Sequence, residues 1–445
     1  MSTFTIINPT TAQPVKDISL ADLAQTDTVI AKAAKAFETW KKVAPGDRAK
    51  LLRKFASVVD SHIEELAQLE VLNSGHTIGN ARWEAGNVRD VLNYYSAAPE
   101  RLFGRQIPVP NGIDITFKEP LGVIGVIVPW NFPMPIAGWG FAAALATGNT
   151  VLLKPAELTP LTAIRLGELA LEAGIPEGVL NVVPGKGSVV GARFVSNPTV
   201  RKVSFTGSTT VGKGIMAGCA EQVKRVTLEL GGKSANIIFE DADIEAAANS
   251  APGGVFDNAG QDCCARTRIL VQKSVFDKFM DYFEKSVKAF RCEDPNLDSA
   301  GMGPLISQKQ KDVVTSYIDD SVAFQGTAPT GPGFWVPPTV LLPKNTQAKS
   351  WQEEIFGPVV SVLPFTDEAD AIEKANDSIY GLSGSIFTSN LGRAMRVARA
   401  VESGNLSVNS HSSVRYWTPF GGFKQSGLGR ALGPESLDMY TETKN

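Results

Sequence analysis

The sequence predicts an α/β protein of two doubly wound α/β domains with a small β flap. Three observations carry this expectation. After Gly122 short apolar runs alternate with helical stretches, as in "VIGVIVP", "MPIAGWGFAAALATG", "TVLLKP", "LTAIRLGELALEAG", "VLNVVPG", "VRKVSFTG", "TVGKGIMAGCAEQ" and "VTLELGG". Such alternation makes a parallel sheet covered by helices on both faces. A second alternation runs from "SANIIFE" to "NLSVN". At 445 residues the chain is also longer than one hydrophobic core commonly serves.

In chain order, the first hundred residues read as helices. "DTVIAKAAKAFETWKKV" and "GDRAKLLRKFASVVDSHIEELAQLEVL" space apolar residues three and four apart, the stripe of amphipathic helices that cover something else. Arg101 to Pro120, "RLFGRQIPVPNGIDITFKEP", has extended character broken by turn residues. It reads equally as a surface hairpin and as an edge open to a partner subunit. Pro120 to Leu153 carries no formal charge and is long enough for a membrane helix. Pro129, Pro133 and Pro135 interrupt any such helix, so a buried strand, a proline loop, a buried helix and a second strand are expected instead. The two alternations meet around residues 230 to 235. In the second, helices fall near "DIEAAANSAPGGVF" and "KSVFDKFMDYFEKSVKAF", strands near "TRILV", "TVLL" and "VVSVLPF", and "PTGPGFWVPP" is a loop within the domain.

Charge and cysteine usage narrow the partners. With 43 Lys and Arg against 46 Asp and Glu, the net charge of -3 offers no general attraction to nucleic acid or anionic lipid. Cys219, Cys263, Cys264 and Cys292 follow no disulfide framework, and two are adjacent, which points to a reducing compartment. The start, "MSTFTIINPTTAQPVKD", lacks a signal peptide's basic and apolar regions. A cytoplasmic protein with a small-molecule partner, and without metal, nucleic acid or membrane, is expected.

Open α/β sheets bind ligands where strands run into loops. In "VSFTGSTTVG", Gly207 and Ser208 follow a strand and open a helix, where N–H groups and the helix dipole favour a phosphate. The same pair serves as an ordinary helix cap. Lys154 ends the strand of "VLLKPAELTP", and Glu157 follows three residues on; the pair suits a ribose, or is a solvated lysine beside a helix-start carboxylate. Glu229 stands inside the apolar strand of "VTLELGGKSA", where burial raises a carboxyl pKa towards that of a general base. Asn131, in the proline-bounded "VPWNFP", is a candidate oxyanion donor or a turn former. "NAGQDCC" offers two thiols, Cys263 and Cys264, with only three histidines in the chain to activate one.

"VPWNFP", "LLKPAELTP", "FTGSTTVG", "LELGGKS", "NAGQDC", "EEIFGPV" and "PFGGFKQSGLGR" occur in that order, and on these motifs the chain resembles the NAD(P)-dependent aldehyde dehydrogenases. The resemblance covers nearly the whole length. It implies a Rossmann-like NAD-binding domain at residues 1–100 and 120–231, a catalytic domain at 232–432, and oligomerisation segments at 101–119 and 433–445 that would form a homodimer or homotetramer. Cys263 matches the nucleophile, Glu229 the base and Asn131 the oxyanion donor. Trp130, Lys154, Glu157, Gly187, Gly207, Ser208, Glu354 and Phe356 match cofactor contacts. Glu157 would repel a 2'-phosphate, so NAD is expected over NADP. Phe132, Trp139, Asp257, Asp262 and Trp417 are the expected substrate pocket, with Tyr416, His411 and Arg415 near it. Cys264 is expected to point away from Cys263 and to pack. Gly140 and Ala431 depart from the lysine and glutamate many relatives carry there. The implied function is oxidation of an aldehyde to an acid through a cysteine thiohemiacetal and thioester. A CoA-acylating enzyme, disfavoured by Glu229, and a non-catalytic nucleotide-binding protein on the same fold are the alternatives.

Overall fold

The computed structural model describes residues 2–319, 321–412 and 414–445. Two sheets organise the chain. The first has six strands in the order Gly427–Leu428, Arg225–Glu229, Val200–Thr206, Val123–Ile127, Thr150–Lys154, Leu180–Val182, and only Gly427–Leu428 runs antiparallel to its neighbour. The second has seven, in the order Val322–Gln325, Thr339–Leu341, Val359–Phe365, Arg268–Gln272, Ala235–Ile238, Ser383–Phe387, Asn405–Val408, again with one antiparallel pair at the first edge.

Helices on both faces explain the strand composition. Val123–Ile127 and Thr150–Lys154 are buried at every position, so their apolar runs are continuous rather than alternating. Between them lies the helix Pro133–Ala146, also almost wholly buried, with a proline at its start where the missing N–H costs nothing. This accounts for the charge-free stretch. Among the described residues no helix is long and apolar enough to cross a membrane.

The first hundred residues are not helices alone. Ser2–Asn8 and Gln13–Leu20 pair as an antiparallel hairpin before the first helix, Leu23–Trp40. Its strands are largely exposed, so they lack the apolar alternation that marks a strand, and only Ile6, Ile18 and Leu20 are buried. Ile6 and Ile18 pack with Leu161, a contact invisible to local periodicity.

Residues 101–120 form the exposed hairpin Gln106–Val109 with Gly112–Ile115, followed by Phe117–Pro120, which pairs with the C-terminal strand Thr441–Lys444. The C-terminal stretch thus pairs with earlier strands twice: at this flap, a two-stranded sheet of its own, and at the edge of the first sheet, where Gly427 pairs with Glu229.

Candidate functional site

The site gathers at the carboxyl ends of the first sheet. Thr206 and Glu229 end neighbouring parallel strands and are register partners. The strand Val123–Ile127 runs beside them and feeds the loop bearing Trp130 and Asn131. Cys263 arrives from the other side. Helix Ile244–Phe256 ends in a turn through Asn258 (φ 50°), Ala259 (φ 54°) and Gly260 (φ 68°) before the strand Arg268–Gln272. A Cβ on Gly260 would lie 2.1 Å from the Gly357 carbonyl oxygen, so only glycine passes there.

Hydrogen bonds tie this turn to the proline loop. Asn131 Nδ2 donates to the Gln261 carbonyl at 2.9 Å, and Asn258 Nδ2 donates to the Asn131 carbonyl at 2.8 Å. Asn131, Asn258 and Gln261 are all buried, and these bonds hold the Asn131 amide nitrogen and the Asn131 backbone against the turn.

Two cavities meet at Cys263. One, of about 300 Å³, is bounded by Trp130, Asn131, Gly207, Ser208, Glu354 and Phe356. The other, of about 340 Å³, is bounded by Phe132, Trp139, Asp257, Asp262 and Cys264, with His411 and Phe420 among its further walls. Thr206, Glu229 and Cys263 line both. Trp417 lines neither; it is half exposed, edge-on to Tyr416 at 4.6 Å. Lys154, Glu157 and Gly187 do not line the 300 Å³ cavity but are linked to each other. Lys154 Nζ lies 3.5 Å from Glu157 Oε2, and the Gly187 N–H donates to Glu157 Oε1 at 2.7 Å.

Local backbone explains several positions. Ser208 caps helix Thr209–Ala220, its side chain accepting from the Val211 N–H. Trp130 stands edge-on to Phe356 with ring centroids 5.3 Å apart. Glu354 accepts from the Gly232 N–H at 2.8 Å, and its carboxylate fills the space a Cβ on Gly231 would take, 2.3 Å from Oε2. A helix N-terminus, a buried carboxylate and facing aromatic rings on one cleft fit a dinucleotide.

Burial raises the acids of the site. Burial holds Glu229 well above the carboxylate range against the opposing Arg430 charge and the Ala431 backbone, and neither carboxylate oxygen has a hydrogen-bond partner. The Cys263 thiol is also raised, first by its hydrogen bond to Cys264, then by burial and by the Cys264, Asp262 and Glu354 charges. Burial pushes Glu354 up to about 7 and likewise raises Asp257 and Asp262. Lys154 is lowered by burial, against the pull of Glu157.

Cys264 corrects the expectation from the sequence. It lines the same cavity as Cys263, and its sulfur lies within 4.8 Å of the Cys263 sulfur. Neighbours alternate sides on an extended strand, whereas this segment turns, and the Cys264 N–H is bound back to the Asp262 carboxylate.

Two groups escaped sequence reasoning. Glu70, His76 and Glu84 are buried together behind Phe132, whose ring lies 5.7 Å from that of His76. Lys202 is buried in the strand Val200–Thr206. A charge inside an apolar strand was the available signal for Lys202; nothing local marks the first group.

The aldehyde dehydrogenase family model matches residues 1–445. The chain belongs to the aldehyde dehydrogenase family. An aldehyde dehydrogenase of Emericella nidulans is 41% identical over 99% of this chain and 91% of its own length. A mitochondrial aldehyde dehydrogenase of Leishmania tarentolae is 40% identical over 99% and 91%. Among solved structures, betaine aldehyde dehydrogenase of Staphylococcus aureus in complex with NAD+ superposes with a TM-score of 0.96 at 38% identity, covering 100% of this chain and 90% of that one. The fold is that of the family, and the protein is an oxidoreductase that oxidises aldehydes with NAD.

Proposed function

We propose that this aldehyde dehydrogenase works through Cys263, Glu229 and Asn131, in the order addition, oxidation and hydrolysis. The observation that carries the reading is the shared wall: Cys263 and Glu229 are exposed to both cavities at once. The 340 Å³ cavity holds the aldehyde. The Cys263 sulfur adds to its carbon, and the Asn131 amide with the Cys263 N–H stabilises the oxyanion. NAD, bound along Trp130, Gly207, Ser208, Glu354 and Phe356 with its adenosine towards Lys154, Glu157 and Gly187, supplies the hydride acceptor. Glu229 then takes a proton from the water that attacks the thioester, releasing the acid and the thiol.

Phe132, Trp139 and Phe420 make the substrate cavity largely aromatic, which suits an aromatic or medium aliphatic aldehyde. Asp257 and Asp262 on the same wall would also accept an aldehyde bearing a cationic amine. Trp417 belongs to this pocket only if Tyr416 and its loop move inward. We place the protein in the cytoplasm on its four free thiols. We assign a homodimer or homotetramer to the flap, where Phe103, Ile113, Ile115 and Phe117 are exposed. The domain boundary near residue 231 is likewise a proposal, supported by the change of sheet between Glu229 and Ala235.

The test is direct. Purified protein, NAD and a panel of aromatic, aliphatic and amino aldehydes are followed by the absorbance of reduced cofactor, with and without CoA. Turnover without CoA supports this reading. Strict dependence on CoA would make the protein an acylating enzyme, and silence with every aldehyde would leave a nucleotide-binding protein.

A further inference from the structure

A third, small cavity of about 20 Å³ adjoins Glu229, room for about one water. Its polar wall comes from two neighbouring strands together with Arg430 and Tyr440. Ser204 pairs with Thr227 and Thr206 with Glu229 in parallel register, and strand alternation sets Lys202, Ser204 and Thr206 on the face shared by Thr227 and Glu229. Ser204, Thr206, Thr227, Glu229 and Tyr440 all line the cavity. Lys202 lies one hydroxyl further along. Its Nζ is hydrogen-bonded to Thr227 Oγ1 and sits 4.9 Å from the centre of the Tyr440 ring, whose hydroxyl meets Ser204.

Gly140 and Ala431 line this cavity too, and neither sends a polar side chain towards Glu229. A Cβ on Gly140 would fall 2.5 Å from Val126 Cγ1, so a larger residue there would displace Val126. A carboxyl with both oxygens unpartnered therefore faces a track of hydroxyls that ends on a buried amine.

We infer that Lys202, reached through Thr227 and a water in this cavity, receives the proton that Glu229 takes from the hydrolytic water. The inference rests on Glu229 being the base. The water oxygen bonds to the acyl carbon and the C–S bond breaks. One water proton passes from Glu229 through the cavity water and the Thr227 hydroxyl to the Lys202 amine, which becomes an ammonium. The other leaves the product acid for the departing thiolate. After product release the ammonium returns its proton along the same path to Glu229 and bulk water. Burial and the nearby Arg225 charge lower Lys202 to about 7, so it can hold or release a proton near neutrality. Arg225 is itself paired with Glu442, Tyr440 is the other titratable neighbour, and Arg430 faces Glu229.

The test follows formation of reduced cofactor and decay of the acyl-enzyme separately, by stopped flow and by acid quench with mass spectrometry, across pH and in D₂O. Lys202→Met and Thr227→Ala should leave the burst of reduced cofactor unchanged and slow acyl-enzyme decay by about tenfold to a hundredfold. Their solvent isotope effect should be larger than that of the parent, and Thr227→Ser should restore decay. If Lys202→Met does not fold, the pair Thr227→Ala and Thr227→Ser decides. Acyl-enzyme decay with parental rate, pH profile and isotope effect in both variants would overturn the inference, as would equal loss of burst and decay. Glu229→Gln separates the two levels. If it stalls hydrolysis while the track variants do not, Lys202 alone is wrongly assigned; if it hydrolyses normally, Glu229 is not the base.

Discussion

A thiol raised by its neighbours is a poor nucleophile until one of those influences is removed. Cys264 is the largest of them for Cys263, although thiolate, not thiol, is the reactive form. Cys264→Ala should therefore keep most turnover and speed alkylation of Cys263 by iodoacetamide at neutral pH, read by peptide mapping. Cys263→Ala should abolish turnover while nucleotide binding, measured by calorimetry, persists; the reverse pattern would move the nucleophile to Cys264. For Glu229 the sign is set by burial. A base works deprotonated, and burial raises its pKa, so hydrolysis should climb with pH through that raised value and fail below it. Because the Arg430 charge pulls the other way, Arg430→Gln should push this limb of acyl-enzyme decay to higher pH.

Single elements position the proposed cofactor contacts. The turn after Val200–Thr206 places Gly207 and the capping Ser208 at the start of Thr209–Ala220, and a lost serine cap costs about 1 kcal/mol of helix stability. Ser208→Ala should accordingly raise the KM for NAD more than it lowers kcat. Glu157 is held by Lys154 and by the Gly187 N–H, which fixes a carboxylate beside the expected adenosine ribose. Glu157→Gln should bring the catalytic efficiency with NADP closer to that with NAD, and an unchanged ratio would remove Glu157 from cofactor choice.

At the scale of the molecule, the C-terminal stretch holds both halves of the site. The Ser426 hydroxyl donates to the Gly231 carbonyl at 2.6 Å, Gly427 extends the first sheet beside Glu229, and Thr441–Lys444 covers one edge of the flap. Removing residues 441–445 should lower the melting temperature and change the particle mass seen by light scattering. Buried carboxyls add a pH dependence to stability. Glu70 is raised to about 7 by burial first and then by Glu84, so the fold binds its proton more tightly than the unfolded chain does. That contribution is complete below the ordinary value of 4.5 and lost as pH rises through about 7. Glu70→Gln should flatten the fall in melting temperature across this interval.

The sequence by itself determined the class of sheet, the succession of strands and helices after Gly122, and the ordered motifs that mark Cys263, Glu229 and Asn131. These are properties of neighbouring residues: periods of two and of 3.6, proline and glycine dihedrals, and fixed spacings. Only the tertiary structure decided what meets across those elements. It put Cys264 in the pocket with Cys263, left Trp417 outside, folded the exposed N-terminal strands onto Leu161, and set Lys202 and Glu229 on one face of two paired strands. Such contacts depend on register and crossing between segments far apart in the chain, and local patterning does not encode them.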